Sequence, residues 1–464
     1  MNQLEGRVFS RRVLLGGLGV AALSSLVACA RDEGRPESSA TVAEESGGSF
    51  DVIVIGAGSA GVGAARQLQD AGKSVVVLEA RDRTGGRLWT DRTLLSIPHE
   101  RGASLCHGGP QTSTWKVAQK LGIEARKFSN TLSRYSPGTP WVHWDTEEFY
   151  AFPEGAPSIS VPVPKPVNGD TAERYFSSLG INPSNYPLSL LGIQVDTEQF
   201  DKLPADEVVE SLEQCLRVAE MGDLPKSDYA GDYKLLAPYD NIIDEVAKGL
   251  DIRLGNAVKS IDYSGSGVTV AAGDNTFTAG KCVVTLPIGV LQRGEVEFIP
   301  KLDSEKMKAI DEVEQTVAFK TILEFDHPVR PKNFDMMNQH DEGPSQFWDE
   351  STGMPGYEGQ IIVAWDTGDR ARELLSLPEE QRFEAALAGV RKIAGDSSLD
   401  FINASNYDWR KDEFAYGAYA HAVEDPDAIY RPLNDNLYWA GAIQSTVAEA
   451  NDSGVDAAMA ILKG

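Results

Sequence analysis

Asp51-Val-Ile-Val-Ile-Gly-Ala-Gly-Ser-Ala-Gly61 is the stretch that decides how this chain is read. Val52 to Ile55 is a short apolar run of the kind a buried parallel strand requires. Gly56 and Gly58 let the backbone turn tightly and approach a pyrophosphate. Gly61 lets the next helix pack close to the strand, and Ser59 and Ala60 open that helix. The helix, Ser59 to Ala71, aims its first N–H groups at phosphate and is closed by Gly72. Val75 to Leu78 is a second strand. Glu79 at its end can accept both hydroxyl protons of a ribose, and an acid there disfavours a 2′-phosphate, which argues against NADP.

Reading outward toward the C-terminus, Glu79-Ala80-Arg81 is followed by Thr84-Gly85-Gly86-Arg87. This second cluster resembles the FAD-binding flavoprotein oxidases more than the NAD dehydrogenases. The resemblance implies that Gly85 and Gly86 pass close to FAD and that Arg87 lies against its phosphates or flavin.

Reading outward toward the N-terminus, Ser10-Arg11-Arg12-Val13-Leu14-Leu15 resembles a twin-arginine export signal. The apolar stretch Val13 to Ala28 is short for a bilayer span. Leu26-Val27-Ala28-Cys29 resembles a lipobox, which implies lipidation of Cys29, removal of residues 1–28 and an exported lipoprotein anchored to the membrane, periplasmic or at the cell surface. Residues 29–49, rich in Glu, Ser and Gly, read as a flexible tether. The twin-arginine route carries folded proteins, which suits a protein that must fold around a cofactor before export.

With 464 residues, 42% of them hydrophobic, the chain is long enough for two domains with substantial cores. A net charge of −26 argues against nucleic acid or an anionic membrane surface as partner, and favours cationic small molecules or simply solubility. Besides Cys29 the cysteines are Cys106, Cys215 and Cys282, an odd set without metal-ligand spacing, so no metal site is expected; Cys282 reads as a core residue.

Further along, Pro137 to Pro187 reads as irregular loops and short strands, and Glu207 to Met221 as a helix. Tyr239 to Leu250 is read as a helix closed by Gly249. Ile252 to Leu254 begins a strand that Asn256–Val258 and Ser260-Ile261 continue. Val268–Val270 and Thr276–Thr278 form a hairpin, Lys281 to Leu286 a further buried strand, Glu379 to Ile393 an amphipathic helix, Leu437 to Gly441 a strand, and Ala448 to Leu462 a helix.

Thr285-Leu-Pro-Ile-Gly-Val-Leu291 resembles the TLPxGVL segment of the flavin amine oxidases, which include polyamine oxidases, monoamine oxidases and histone-demethylase relatives. Leu235–Ser260 before it, Phe298-Ile-Pro300 after it and Tyr438-Trp-Ala-Gly441 near the end are similar to the same family, over residues 50–464 with 135–230 poorly matched. The resemblance implies an α/β fold: an FAD/NAD(P)-binding Rossmann-like domain assembled from discontinuous segments (50–130, 232–300 and 431–464) with an inserted α+β substrate-binding domain (131–231 and 301–430). It adds Gly102, Ala103, Ser104, Val258, Pro287, Trp409, Gly441, Ala442 and Val447 to the residues that hold FAD.

Lys320 sits in the apolar strand Val317-Ala-Phe-Lys-Thr-Ile-Leu-Glu-Phe325, sharing a face with Ala318 and Ile322. A buried lysine needs a partner or a task. The resemblance implies that it holds a water against flavin N5 and helps the reduced flavin meet oxygen. It further implies that His107 faces the substrate and that Tyr419, in Tyr416-Gly-Ala-Tyr419, is one wall of an aromatic cage for the amine. Ala418 stands where monoamine oxidases carry a flavin-linked cysteine, so FAD is expected to be noncovalent. The chain departs from the family at Ala442, where an acid is common, and near Thr446 and Val447, where a second cage aromatic would stand.

The implied activity is FAD-dependent oxidation of an amine, a polyamine among the candidates, to an imine that hydrolyses to aldehyde, with O2 reduced to hydrogen peroxide. Three alternatives remain open at this stage: an L-amino-acid oxidase using Arg410 or Arg330 for a carboxylate, a flavin oxidoreductase of a non-amine substrate, and a flavin-binding partner protein without turnover.

Overall fold

A computed structural model of the chain describes residues 46–128, 130–134, 142–145, 162–180, 204–206, 208–209, 212, 231–329, 335–339, 343–420 and 426–464. Lipidation at Cys29, the export signal, Cys215, Arg330 and most of the 207–221 helix lie outside these residues.

The apolar runs read from the sequence meet in one sheet. Its parallel part runs Asp251–Arg253, Val75–Leu78, Ser46–Ile55, Asn275–Val284 and Leu437–Trp439, so strands far apart in sequence lie side by side. Val52 and Val54 bury against one face, Ile53 and Ile55 against the other. Burial on both faces is why the run is continuously apolar rather than alternating. Helices Ser59–Asp70 and Val447–Lys463 pack together on the Val52 face. The approach is close: a Cβ on Gly454 would collide with the Ala60 carbonyl, and one on Gly61 with the Gly56 carbonyl. This is a Rossmann-like α/β layer built from separated segments, into which an α+β portion is inserted.

The inserted portion contains a second sheet, in the order Asn403–Asn406, Ala318–Phe325, Gln360–Thr367, Gln346–Asp349, Met336–Gln339, Asn130–Arg134 and Val142–Asp145. Leu323, Phe325 and Phe347 bury beneath helix Glu379–Ala394, through Ala386, Leu387 and Val390. Ile322, Trp348, Ile361 and Val363 face the other way, onto Leu95 and Leu105. Lys320 shares the strand face of Ile322 and thus points away from the helix.

Four sequence expectations need correction. The first strand begins at Ser46, inside the expected tether, because Ser46–Phe50 pairs in parallel with Thr276–Ala279; backbone pairing needs no apolar side chains. Asn256–Ile261 does not continue the Asp251–Arg253 strand. Gly255, at φ +69°, turns the chain, and Val258–Asp262 pairs with Val268–Ala272 and Glu297–Ile299 at the other end of the sheet. The hairpin strand at Thr276 and the buried strand at Lys281 are one strand, Asn275–Val284, whose first half pairs with Val268–Ala272 and whose end pairs with Leu437–Trp439. Finally, within 137–187 there is a helix, Ala172–Ser178, capped by Thr171.

Candidate active site

A cavity of about 540 Å³ lies among these elements, and two kinds of surface meet in it. One wall is backbone. Gly56 (φ +98°), Gly85 (φ +91°) and Gly86 (φ +60°) hold conformations that a side chain resists. Gly58 and Gly85 form a parallel bridge, and Gly85 N–H donates to the Ala57 carbonyl at 2.9 Å, which ties the two glycine clusters together. Helix Ser59–Asp70 opens with no side-chain cap, leaving its N-terminal donors for a ligand. A Cβ on Gly58 would have no protein atom nearer than 4.0 Å and would instead fill the cavity. The N-terminus of Val447–Lys463 also reaches the cavity through Thr446, Val447 and Ala450. This helix is closed by a capping box in which Thr446 and Glu449 satisfy each other's backbone N–H groups.

Around this backbone the charged groups are already anchored. Glu79 is buried and accepts from Ala57 N–H at 2.7 Å and Arg81 N–H at 2.9 Å. Arg81 pairs with Asp412 at 2.5 Å. Arg87 donates to the Ala418 carbonyl at 2.7 Å, and burial lowers its pKa. Arg83 stacks 4.6 Å over Trp89, and burial, with Arg81 adding repulsion, pushes its pKa down to about 10. Cation-rich loops, uncapped helix donors and Cβ-free backbone fit a pyrophosphate-containing dinucleotide.

The opposite wall is side chain. Lys320 Nζ donates to the Gly102 carbonyl and to Ser104 Oγ, the latter at 2.6 Å, and lies 5.4 Å from the Trp348 ring. Burial pushes its pKa down to about 8, against the pull of Glu350 and Glu100. Trp365, the strand partner of Lys320, sits with its ring 6.4 Å from that of Trp348. His107 Nδ1 is 2.7 Å from Asp232 Oδ1, an arrangement set by the pairing of Cys106-His107 with Asp232–Leu235. Tyr419 is 39% exposed, and it lines the cavity. Burial of its phenol raises the pKa, with Arg87 opposing.

Of the sequence-predicted residues, the cavity brings together Lys320, His107 and Tyr419 with Gly56, Gly58, Ser59, Ala60, Glu79, Ala80, Arg81, Gly85, Gly86 and Arg87. Gly102, Ala103, Ser104, Val258, Pro287, Trp409, Gly441 and Val447 line it too. Two do not. Gly61 lies under the turn, against the Gly56 carbonyl, and serves helix packing. Ala442 is 2% exposed and belongs to the buried cluster under the sheet that includes Trp439. Arg410 is also outside the lining, held by Asp408 at 2.9 Å. Sequence reading missed Asp232, Trp348, Trp365 and Arg101. Only strand register brings the first three to the cavity, and no local motif marks them. Arg101, next to the predicted Gly102, carried a positional signal.

Comparisons with known proteins agree with this geometry. A protein-family model described as flavin containing amine oxidoreductase matches residues 59–462. Human lysine-specific histone demethylase 2 is 28% identical over 422 residues, which are 84% of this chain and 50% of that protein. The chain thus spans about half the length of the first curated relatives it matches. Polyamine oxidase 2 of Arabidopsis thaliana is 28% identical over 423 residues, 85% of this chain and 83% of that one. Among solved structures, putrescine oxidase bound to putrescine superposes with a TM-score of 0.67 at 19% identity, covering 90% of this chain and 99% of the other. Cyclohexylamine oxidase from Brevibacterium oxydans does so with a TM-score of 0.66 at 17% identity, over 89% and 99%. This chain belongs to the flavin-containing amine oxidoreductase family, and its cofactor is FAD.

Proposed function

We propose that the protein oxidises an amine that arrives as a cation, loses a proton to solvent and reacts as the neutral base, with FAD lying along the glycine wall and the substrate between the flavin and the Lys320 wall. One observation carries this reading: a lysine anchored to Gly102 O and Ser104 Oγ stands inside a cavity bordered by Trp348, Trp365 and Tyr419. When bound, FAD would supply the acceptor for a hydride from the carbon next to the neutral amine nitrogen and would return the electrons to dioxygen.

The chain's own residues bind, orient and exclude water. The aromatic faces hold an alkylammonium and strip its hydration. Trp348 and Trp365 supply the aromatic surface missing near Thr446. Asp232, with His107 beside it, takes a second ammonium of a diamine or polyamine. Lys320 holds a water where oxygen reacts. Burial pushes its pKa down to about 8, which leaves it an ammonium at neutral pH and brings its titration into the mildly alkaline range. FAD is noncovalent: Ala418 offers no thiol, and Cys106 and Cys282, the free cysteines among the described residues, lie outside the lining.

The test is an anaerobic absorbance titration of the holoprotein with monoamines, diamines, polyamines and amino acids, followed by air. The flavin band should bleach with amines, recover in air and release peroxide. A spectrum indifferent to every amine would defeat the reading, and bleaching by amino acids alone would move it to an amino-acid oxidase. The N-terminal sequence supports export as a lipid-anchored protein; normal export of an Arg11→Lys/Arg12→Lys variant would count against that.

A further inference from the structure

A buried ion pair stands directly behind the Lys320 wall. Glu350, 3% exposed, follows strand Gln346–Asp349 and is fixed by its N–H to the Ile361 carbonyl at 2.9 Å. Its two oxygens go in different directions. Oε2 accepts from Trp348 Nε1 at 2.9 Å, and Oε1 accepts from Lys234 Nζ at 2.5 Å. Lys234 is 4% exposed and lies on strand Asp232–Leu235, two residues from the Asp232 that faces His107. Neither Glu350 nor Lys234 lines the cavity, but Trp348 does, and Lys320 Nζ lies against its ring. The contacts therefore run from Lys234 through Glu350 and Trp348 to Lys320.

Such a pair is a poor stabiliser, because removing two charges from water offsets most of their attraction and apolar residues of similar size do as well. Its placement gives it another task. We propose that Glu350 is a positioning residue for the oxygen-facing lysine: it fixes the Trp348 indole under Lys320 and supplies the negative charge that keeps Lys320 an ammonium. This rests on the role of Lys320 given above.

Other charges near Lys320 are committed. Glu100, from the segment opposite, accepts from Tyr239 N–H at 2.9 Å and Thr90 Oγ1 at 2.8 Å, and burial pushes its pKa up to about 7, with Glu350 adding to the rise. Arg101 is engaged by Asn406 O and Asp91. On the flanking strands, Asp366 is bound to Ser345, Asp349 to Ser351, Thr352 and Gln360, and Asn403–Asn406 carries no titratable residue. His107 and Asp232 pair with each other in the lining of the cavity. Glu350 is thus the carboxylate whose loss should be felt most directly by Lys320, while Lys234 works against it.

The experiment is a pH titration of the visible flavin spectrum of the oxidised holoprotein from pH 6 to 10, with reoxidation of the reduced flavin by oxygen followed over the same range. The native protein should show a transition near pH 8 that Lys320→Met abolishes. Glu350→Gln keeps an acceptor for the indole but removes the charge, and should move the transition down by at least half a pH unit. Lys234→Gln should move it up, and the double variant should return it toward the native value. The reoxidation profile should shift in parallel. A Glu350→Gln holoprotein that melts earlier but titrates as the native protein does would make the pair merely structural and overturn the proposal. If Glu350→Gln does not accumulate with flavin, Lys234→Gln decides by the upward shift or its absence. A native transition that survives Lys320→Met would instead overturn the role given to Lys320, and this inference with it.

Discussion

On one side of the cavity the surface is main chain: Gly56, Gly58, Gly85, Gly86 and the open N-terminus of Ser59–Asp70. On the other it is side chain: Lys320, Trp348, Trp365, and His107 with Asp232. The first wall works by what is missing, since a Cβ there would either enter the cavity, as at Gly58, or strike neighbouring chain, as at Gly56 against Thr285 and at Gly85 against the Leu88 carbonyl. The second works by what each group carries, so substitution can leave the fold and change the chemistry. The two walls should therefore fail differently when altered.

The largest effect belongs to the turn that supports the backbone wall, where Gly61 packs the helix against the strand. Gly61→Val places a branched side chain onto the Gly56 carbonyl. Helix Ser59–Asp70 must lift from the strand, at more than the roughly 1–3 kcal/mol usual for overpacking. The protein should purify colourless, or with a thermal midpoint far below native. Gly72→Ala is the control: Gly72 has open space around it and only its φ of +83° to defend, a cost of about 1 kcal/mol. A yellow Gly61→Val protein of native stability would break the contrast.

Next is a pH effect at a buried carboxyl outside both walls. Glu100 is 2% exposed, and burial raises its folded pKa to about 7 from an ordinary 4.5. A carboxyl whose folded pKa is raised binds its proton more tightly in the native state. Its contribution is present below pH 4.5 and is lost as pH climbs to about 7. The loss is on the order of 3 kcal/mol. Glu100→Gln removes this titration and keeps an acceptor for Tyr239 N–H. Denaturant unfolding at pH 5 and pH 8 should show the variant gaining on the native protein at the higher pH. An equal difference at both would remove Glu100 from the account.

The same contrast explains what could be read from sequence. The glycine wall was legible because steric limits write glycine at fixed spacing within a short stretch, with an acid at the end of the next strand. Lys320 was legible because a charge in an apolar strand stands out. Trp348, Trp365 and Asp232 were not, since they arrive by register: Trp365 opposite Lys320, Gln346 opposite Trp365, Asp232 opposite His107. Pairing between strands tens of residues apart leaves no local pattern. The misread strand at Asn256–Ile261 has the same cause. These residues do form a strand, but Gly255 sends it to the far end of the sheet, and the choice of partner is not written in local sequence. Ala442 follows from a motif but lies in the core, in the buried cluster that also holds Trp439.

Within the side-chain wall, Lys320→Met should leave flavin bound, because Lys320 contacts the chain at Gly102 O and Ser104 Oγ rather than in the glycine cradle. Reoxidation by oxygen should slow by about 10²-fold, the usual scale for losing one preorganised donor. Stopped-flow mixing of reduced protein with air measures this directly. Loss of flavin from the variant would mean that the two walls are not separable.

The smallest effect is the most selective. Asp232 faces the cavity with its carboxylate 2.7 Å from His107 Nδ1, and its side chain is 30% exposed. A second ammonium reaching it gains a charge-assisted hydrogen bond; a monoamine gains nothing there. Asp232→Asn keeps the size and a hydrogen bond to His107 but removes the charge. The interaction is made equally in the ground and transition states, so its loss should raise KM for a diamine about 10-fold while kcat stays near native. A monoamine of the same chain length should change little. The informative quantity is the ratio of kcat/KM between the two amines. A fall shared equally by both would mean that Asp232 serves only to orient His107, and the side-chain wall would then recognise its substrate through aromatic surface alone.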